Sequence, residues 1–178
     1  LSKSSEPKHE IDKEHSIPVD PELDKKYSEA IKRAISFIEP IFKSNHRTSI
    51  SEQDLRKLFV DILNIDEVKR CICKKPYKKF DSFNIRMVYN IIGLLIDAGY
   101  FLKDAAKGLA DEIEEYHKAN GEHLPRLREN INNYAKGYDS PYGYINRNGL
   151  FDIILNFLGD EKSKIVKGAL AQKELNRK

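Results

Sequence analysis

Hydrophobic positions recur every three or four residues from Asp20 to the last residues of the chain. This is the period of an α-helix with one buried side, whereas a half-buried strand alternates at every second residue. Because no run of strict alternation persists, the pattern predicts an all-α fold. Residues 1–19 lack this period, so we expect a disordered N-terminal arm, a single α-helical domain over residues 20–175 and a basic tail at 176–178.

Residues that favour helix ends divide this domain into seven or eight helices. Asp20 and Pro21 predict the start of the first helix, and Pro40 predicts a bend or an end in it. Ser51 predicts the N-cap of the second helix. Further helices are predicted over about 66–73, 82–98, 104–119, 125–136, 150–158 and 161–174. Several of them end at a glycine, as helices commonly do, namely at Gly99, Gly121, Gly137 and Gly159.

The helix predicted over about 82–98, with Asp81 or Ser82 as its cap, is apolar around most of its circumference. Its apolar residues are Phe83, Met87, Val88, Ile91, Ile92, Leu94, Leu95 and Ile96. A helix that is apolar nearly all round must be covered by neighbours on several sides. We therefore expect it to be the buried centre of a compact helical bundle.

The composition narrows the class of protein without indicating an activity. The 178 residues are 40% hydrophobic and 33% charged, and the formal net charge of +3 does not by itself indicate a polyanionic partner. A disulfide between Cys71 and Cys73 would be strained, so we expect two free thiols in a reducing, cytoplasmic compartment. A leader removed before Leu1 is compatible with the same residues. No apolar run reaches the roughly 20 residues that a membrane-spanning helix needs.

The strongest local charge pattern lies between residues 69 and 80, which we call the basic segment. Six of the eleven residues 69–79 are Lys or Arg, and Arg86 follows one turn into the next predicted helix. Cations neutralise phosphates, and aromatic rings stack on unpaired bases. The candidate nucleic-acid-binding residues are therefore Lys69, Arg70, Lys74, Lys75, Tyr77, Lys78, Lys79 and Arg86. The alternative is a solvated loop whose lysines keep the protein soluble.

A second candidate is the aromatic segment at residues 138–149, which has three tyrosines close to an arginine. Such side chains suit stacking and hydrogen bonding with a partner or ligand. The candidate residues of this loop are Tyr138, Tyr142, Tyr144 and Arg147. The alternative is an ordered loop whose tyrosines pack over the ends of helices.

Other chemistry has weaker support in the sequence. A helix-turn-helix over residues 83–110 would continue into the four carboxylates of residues 111–115, which DNA would repel. Glu114 and His117 have the spacing of a carboxylate-bridged metal site, but such a site needs two such pairs plus two further Glu, and two cysteines alone do not complete a thiolate site. Phosphate-binding glycine loops, nucleophile elbows and metalloprotease helices are absent. We therefore predict no metal, no cofactor and no catalytic residues, although an active site assembled from distant helices would leave no such motif.

Two functions from different classes remain. The first is a non-catalytic, nucleic-acid-associated regulatory protein that uses the basic segment. The second is a protein–protein interaction module that uses the aromatic segment or a groove between helices. They differ in salt dependence, because phosphate binding weakens steeply with salt whereas an apolar interface changes little. No motif specifies the oligomeric state or the identity of a partner.

Overall fold

The computed structural model describes residues 21–43, 49–73, 84–101, 105–121 and 142–176. The expected arm at 1–19, most of the basic segment and the helix predicted from Pro125 lie outside these ranges. Every regular element within the ranges is a helix, which confirms the predicted all-α class. The helices are α1 (Pro21–Phe37), α2 (Glu39–Phe42), α3 (Glu52–Leu63), α4 (Asp66–Ile72), α5 (Ile85–Asp97), α6 (Ala105–Ala119), α7 (Gly143–Arg147), α8 (Phe151–Leu158) and α9 (Asp160–Asn176).

The first predicted helix is interrupted near Pro40, as the sequence indicates. Pro40 has no backbone N–H, and the backbone N–H of Ile41 donates to the carbonyl of Ile38 at 2.9 Å. The carbonyl of Phe37 accepts a hydrogen bond from Nε2 of buried His117 at 2.9 Å. The imidazole also packs on the Phe37 ring, with 4.8 Å between ring centroids. α6 therefore supplies a partner for the end of α1 and holds the bend in place.

A charged contact fixes α2 against α3. The guanidinium of Arg56 donates to both carboxylate oxygens of Glu39, at 2.8 and 2.6 Å, and lies 4.7 Å from the centroid of the Phe42 ring. This bidentate geometry is the strong form of an ion pair. The hydrogen bond from Arg56 holds the pKa of Glu39 below its usual value.

The ends of the helices are set by local side chains and glycines. Ser51 caps α3 as predicted, because its Oγ accepts a hydrogen bond from a backbone N–H of the first turn at 3.1 Å. The predicted cap of α5 is wrong: Asn84 takes that position, rather than Asp81 or Ser82, and its Oδ1 accepts from two backbone N–H groups of the first turn. Glycines with left-handed φ angles of +85°, +80° and +94° end α5, α6 and α8, namely Gly99, Gly121 and Gly159.

α5 is the buried centre of the bundle, as its sequence predicts. Every residue from Met87 to Leu95 is buried, and α5 packs against α6, α7 and α9. Helices α1 to α4 pack on one another, and α2 joins this group to α6. Their buried side chains belong to one continuous core. Among the described residues, each helix is too short or too polar to traverse a bilayer.

Candidate nucleic-acid interface

The aromatic segment contacts both α4, which carries the first residues of the basic segment, and the first half of α5. The backbone N–H of Tyr144, on α7, donates to Oδ1 of Asn90 at 3.2 Å. Its hydroxyl donates to the carbonyl of Cys71, in the last turn of α4, at 3.4 Å. Nδ2 of Asn90 in turn donates to the carbonyl of Arg86 at 2.9 Å. Tyr144 of the aromatic segment therefore contacts both α4, where the basic segment begins, and α5, which follows the basic segment.

α1 borders the same region through a cysteine. Sγ of Cys73 lies 3.7 Å from the carbonyl of Lys26, which brings the end of α4 against the first half of α1. Both cysteines are free thiols, as expected. Burial raises the pKa of the Cys73 thiol, so this group is a neutral packing residue rather than a reactive thiolate.

Exposed cations lie next to these contacts on four different helices. Lys26 on α1, Arg70 on α4, Arg86 on α5 and Arg147 on α7 are exposed, and Lys69 is half-buried. We use the name junction surface for these five side chains, which stand on helices that the contacts above bring together. The short helix α4 is acidic in its first turn and basic in its last turn, so its cations stand at the end that contacts α7. An exposed guanidinium presents a fork of N–H donors that matches a phosphate.

The structure describes three of the eight predicted nucleic-acid-binding residues, and all three belong to the junction surface. They are Lys69, Arg70 and Arg86. The others lie outside the described residues, in the stretch of chain between Cys73 and Asn84, and are Lys74, Lys75, Tyr77, Lys78 and Lys79. Both residues that bound this stretch are buried.

Tyr142 is a core residue, which corrects its interpretation as an exposed partner or ligand residue. It is fully buried, and its ring stacks on Phe151 with 5.7 Å between centroids. Its hydroxyl donates to the carboxylate of Asp97. Burial, together with the neighbouring Asp97 carboxylate, raises the pKa of Tyr142. This position is enclosed because α7 packs against α5 and Phe151 of α8 covers the Tyr142 ring, which the local sequence does not show.

Most of the other described residues of the aromatic segment form a short helix, and they differ in their exposure to solvent. Residues 143–147 form the short helix α7 instead of a loop, and Tyr142 begins it with a left-handed φ of +53°. Tyr144 is half-buried and serves as the link described above, whereas Arg147 is exposed. Tyr138 lies outside the described residues.

Sequence reasoning missed two residues of this region. Asn90 is the clearer omission, because a lone amide among the apolar positions of a buried helix needs specific hydrogen-bond partners. Its two partners lie on α5 itself and on α7. Lys26 carried no local signal, since it is one of several cations on the exposed side of α1.

A second polar cluster lies at the opposite end of α5. The carboxylate of Asp97 accepts from the Tyr142 hydroxyl and pairs with the ammonium of Lys173, and the two charged side chains are only 11% and 12% exposed. Nζ of Lys162 donates to the carbonyl of Ala98 at 3.1 Å. These contacts tie α7 and α9 to the end of α5. Since these groups bind one another, we interpret the cluster as part of the fold rather than as a second candidate site.

Comparison with models of protein families, with curated proteins and with solved structures finds no match to this chain. Within the described ranges, no group of three or more His, Cys, Asp or Glu residues is placed to hold a metal ion.

Proposed function

We propose that this protein binds nucleic acid through the junction surface and acts as a non-catalytic regulatory protein. The observation that carries the proposal is the pair of hydrogen bonds from Tyr144 to α4 and α5. These bonds connect the helices that carry the exposed Arg70, Arg86 and Arg147. Two regions that are distant in sequence thus carry exposed cations on helices that contact one another.

The physical basis of this proposal is phosphate neutralisation. Each cation that contacts a phosphate releases a condensed counterion, so affinity falls steeply as the salt concentration rises. Cations on separate helices are held at fixed spacings, which lowers the entropic cost of aligning them with a phosphate backbone. Half-buried Tyr144 acts here as a positioning residue, because its hydroxyl and its backbone N–H already bind within the protein.

A charge-reversal experiment tests the proposal. The junction variant replaces Arg70, Arg86 and Arg147 with Glu, and fluorescence anisotropy measures its binding to single-stranded and duplex oligonucleotides at low and high salt. We expect its affinity to fall on the order of 100-fold, since three solvent-exposed ion contacts, each contributing up to about 1 kcal/mol, are lost. Glu at position 86 lies in the first turn of α5, where an acidic side chain is favourable, so the fold should persist.

A matched control carries the same change in net charge on other parts of the surface. It replaces three exposed cations outside the junction surface, Lys43, Lys57 and Lys118, with Glu. We expect this control to bind nearly as well as the wild-type protein. Equal losses in the two variants would show that overall charge, and not the junction surface, causes binding. If the wild-type protein binds neither oligonucleotide at low salt, the proposal fails and the protein-interaction alternative becomes the better one.

A further inference from the structure

The helix α9 lies on the bundle through a side that is poor in apolar groups. Val166 is its one fully buried residue, and Leu170 is half-buried. Its other two large apolar side chains, Ile165 and Leu175, are 44% and 63% exposed. In the shorter helix α5, every residue from Met87 to Leu95 is buried. Since the hydrophobic contribution to docking is proportional to the apolar area removed from water, this contribution is small for α9.

Two lysines, about three turns apart, hold this side of α9 against the end of α5. Nζ of Lys162 donates to the carbonyl of the C-cap residue of α5 at 3.1 Å and lies 4.6 Å from the centroid of the Tyr100 ring. Nζ of Lys173 pairs with the carboxylate of Asp97 and lies 5.2 Å from the centroid of the Tyr142 ring. When α9 separates from α5, water solvates both ammonium groups and the carboxylate again, which offsets much of the lost interaction. Polar contacts of this kind therefore hold α9 less firmly than apolar packing holds α5.

A single glycine joins α9 to α8. Gly159 ends α8 with a left-handed φ of +94°, and α9 begins at the next residue, Asp160. A Cβ atom added at Gly159 would meet nothing within 4 Å, so the surrounding structure leaves this backbone room to move. The hydroxyl of Ser163 donates to the carbonyl of Leu155 across this joint at 2.8 Å. Glycine tolerates a wide range of backbone angles, and a hinge needs only a few residues at the end of an element to absorb such a change. Gly159 is therefore suited to be the hinge about which α9 turns.

We propose that α9 is a detachable helix, which separates from α5 and α8 about Gly159 while the rest of the bundle stays folded. Segments with few buried apolar contacts open at a lower free energy than the core of the same protein. Separation removes Lys173 from Asp97 and from the ring of Tyr142, so it uncovers a carboxylate and one face of an aromatic ring at the end of α5. The bundle thus has a second state, in which these two groups face solvent. α9 carries none of the residues of the junction surface, so the two proposals can fail separately.

Native-state hydrogen exchange of the full chain, followed by NMR at increasing urea concentrations below the unfolding transition, tests for this state. A helix of 17 residues that contains Gly168 is marginally stable by itself in water, so its amides exchange when it is detached. We expect the amides of Val166 and Leu170 to be at least roughly 10-fold less protected than those of Ile91 and Leu95. Their exchange should also depend less on urea, because detachment exposes less surface than global unfolding. Equal protection and equal urea dependence in the two helices would overturn the proposal.

Replacement of single lysines tests which contacts hold α9. Lys173→Met keeps the length and the helix propensity of the side chain but removes the partner of Asp97, so we expect the protection of the α9 amides to fall at least roughly 10-fold. The matched control Lys167→Met changes an exposed lysine of the same helix and should alter this protection by less than about 3-fold. Unchanged protection in the Lys173→Met variant would contradict the role of this lysine in docking α9.

A substitution in another part of the core tests whether α9 opens independently. Phe59 lies on α3, which packs against α1, α2 and α4, and it is buried against Phe42. In the Phe59→Leu variant we expect the α5 amides to lose protection about 10-fold, whereas the α9 amides keep theirs, because detachment of α9 leaves residue 59 in place. An equal loss in both helices would show that α9 opens only when the whole bundle unfolds, and the proposal would then be wrong.

Discussion

The two ends of the central helix α5 are held by different chemistry. At its start the amides of Asn84 and Asn90 make neutral hydrogen bonds to the backbone. At its end the carboxylate of Asp97 pairs with Lys173 and accepts from Tyr142. The Asn90 amide holds α7 against α5 through backbone groups rather than through the side chains of the nearby arginines. At the other end, Lys173 and Lys162 bind groups within the fold. Exposed Arg86 and Arg147 therefore stand on the helices that the neutral contacts join, whereas Lys173 at the other end is paired inside the fold.

The largest expected effect is at the charged end. Asp97→Ala leaves the ammonium of Lys173 and the hydroxyl of Tyr142 without their partner in a largely buried site. Removing one member of a buried ion pair costs about 3–5 kcal/mol, so we expect a loss of that size in the free energy of unfolding. Urea denaturation followed by circular dichroism measures it.

A double variant separates the charge from the packing at this site. Replacing Lys173 with Met in the Asp97→Ala background removes the unpaired charge, and we expect it to recover part of the lost stability. If the double variant is less stable than Asp97→Ala, the ammonium does not depend on Asp97 and the description of this end of α5 is wrong.

A smaller effect is expected at the neutral end. Asn90→Ala removes the acceptor of the Tyr144 N–H and the donor to the Arg86 carbonyl, and we expect unfolding to become easier by about 1–3 kcal/mol. The matched control is Asn64→Ala, because Asn64 also donates to the carbonyl four residues earlier, at 2.9 Å, but is exposed. The control should change stability by less than about 0.5 kcal/mol. Equal costs for the two variants would contradict the link between α5 and α7.

The pH dependence of stability sharpens the comparison further. The pKa of Tyr142 is raised in the folded protein, so this residue keeps its proton where an unfolded tyrosine, with a pKa of about 10, has lost it. Its contribution to stability is therefore complete below about pH 10 and is lost as the pH rises above that value, by about 1.4 kcal/mol per unit. We expect Tyr142→Phe to show a shallower loss of stability than the wild-type protein above pH 10. Parallel curves for the two proteins would contradict this prediction.

Much of the fold was predictable from local sequence. The period of the apolar positions identified the helices, and Pro40, Ser51 and Gly99 marked breaks and ends because their effects are confined to one turn of backbone. The cap of α5 was misplaced because Asp, Ser and Asn are nearly equivalent as caps, and the choice among neighbouring candidates depends on which one is enclosed.

The candidate site was predictable only in its parts. The cations at positions 69, 70 and 86 and the aromatic residues after position 138 were visible as two separate features. That Tyr144 joins them depends on an amide of α5 and a carbonyl of α4, which are 54 and 73 residues away in sequence. The burial of Tyr142 depends in the same way on distant helices, so the sequence could not distinguish a core tyrosine from an exposed one.

The sequence by itself therefore determined that the chain forms helices, where several of them begin and end, and which helix lies at the centre. It did so because helix period, capping and hydrophobicity are properties of neighbouring residues. The tertiary structure decided which polar groups meet: Asn90 with Tyr144 at one end of α5, and Asp97 with Lys173 at the other. These pairings depend on how the helices pack, and hydrogen bonds and ion pairs form only between groups that packing brings within about 3 Å.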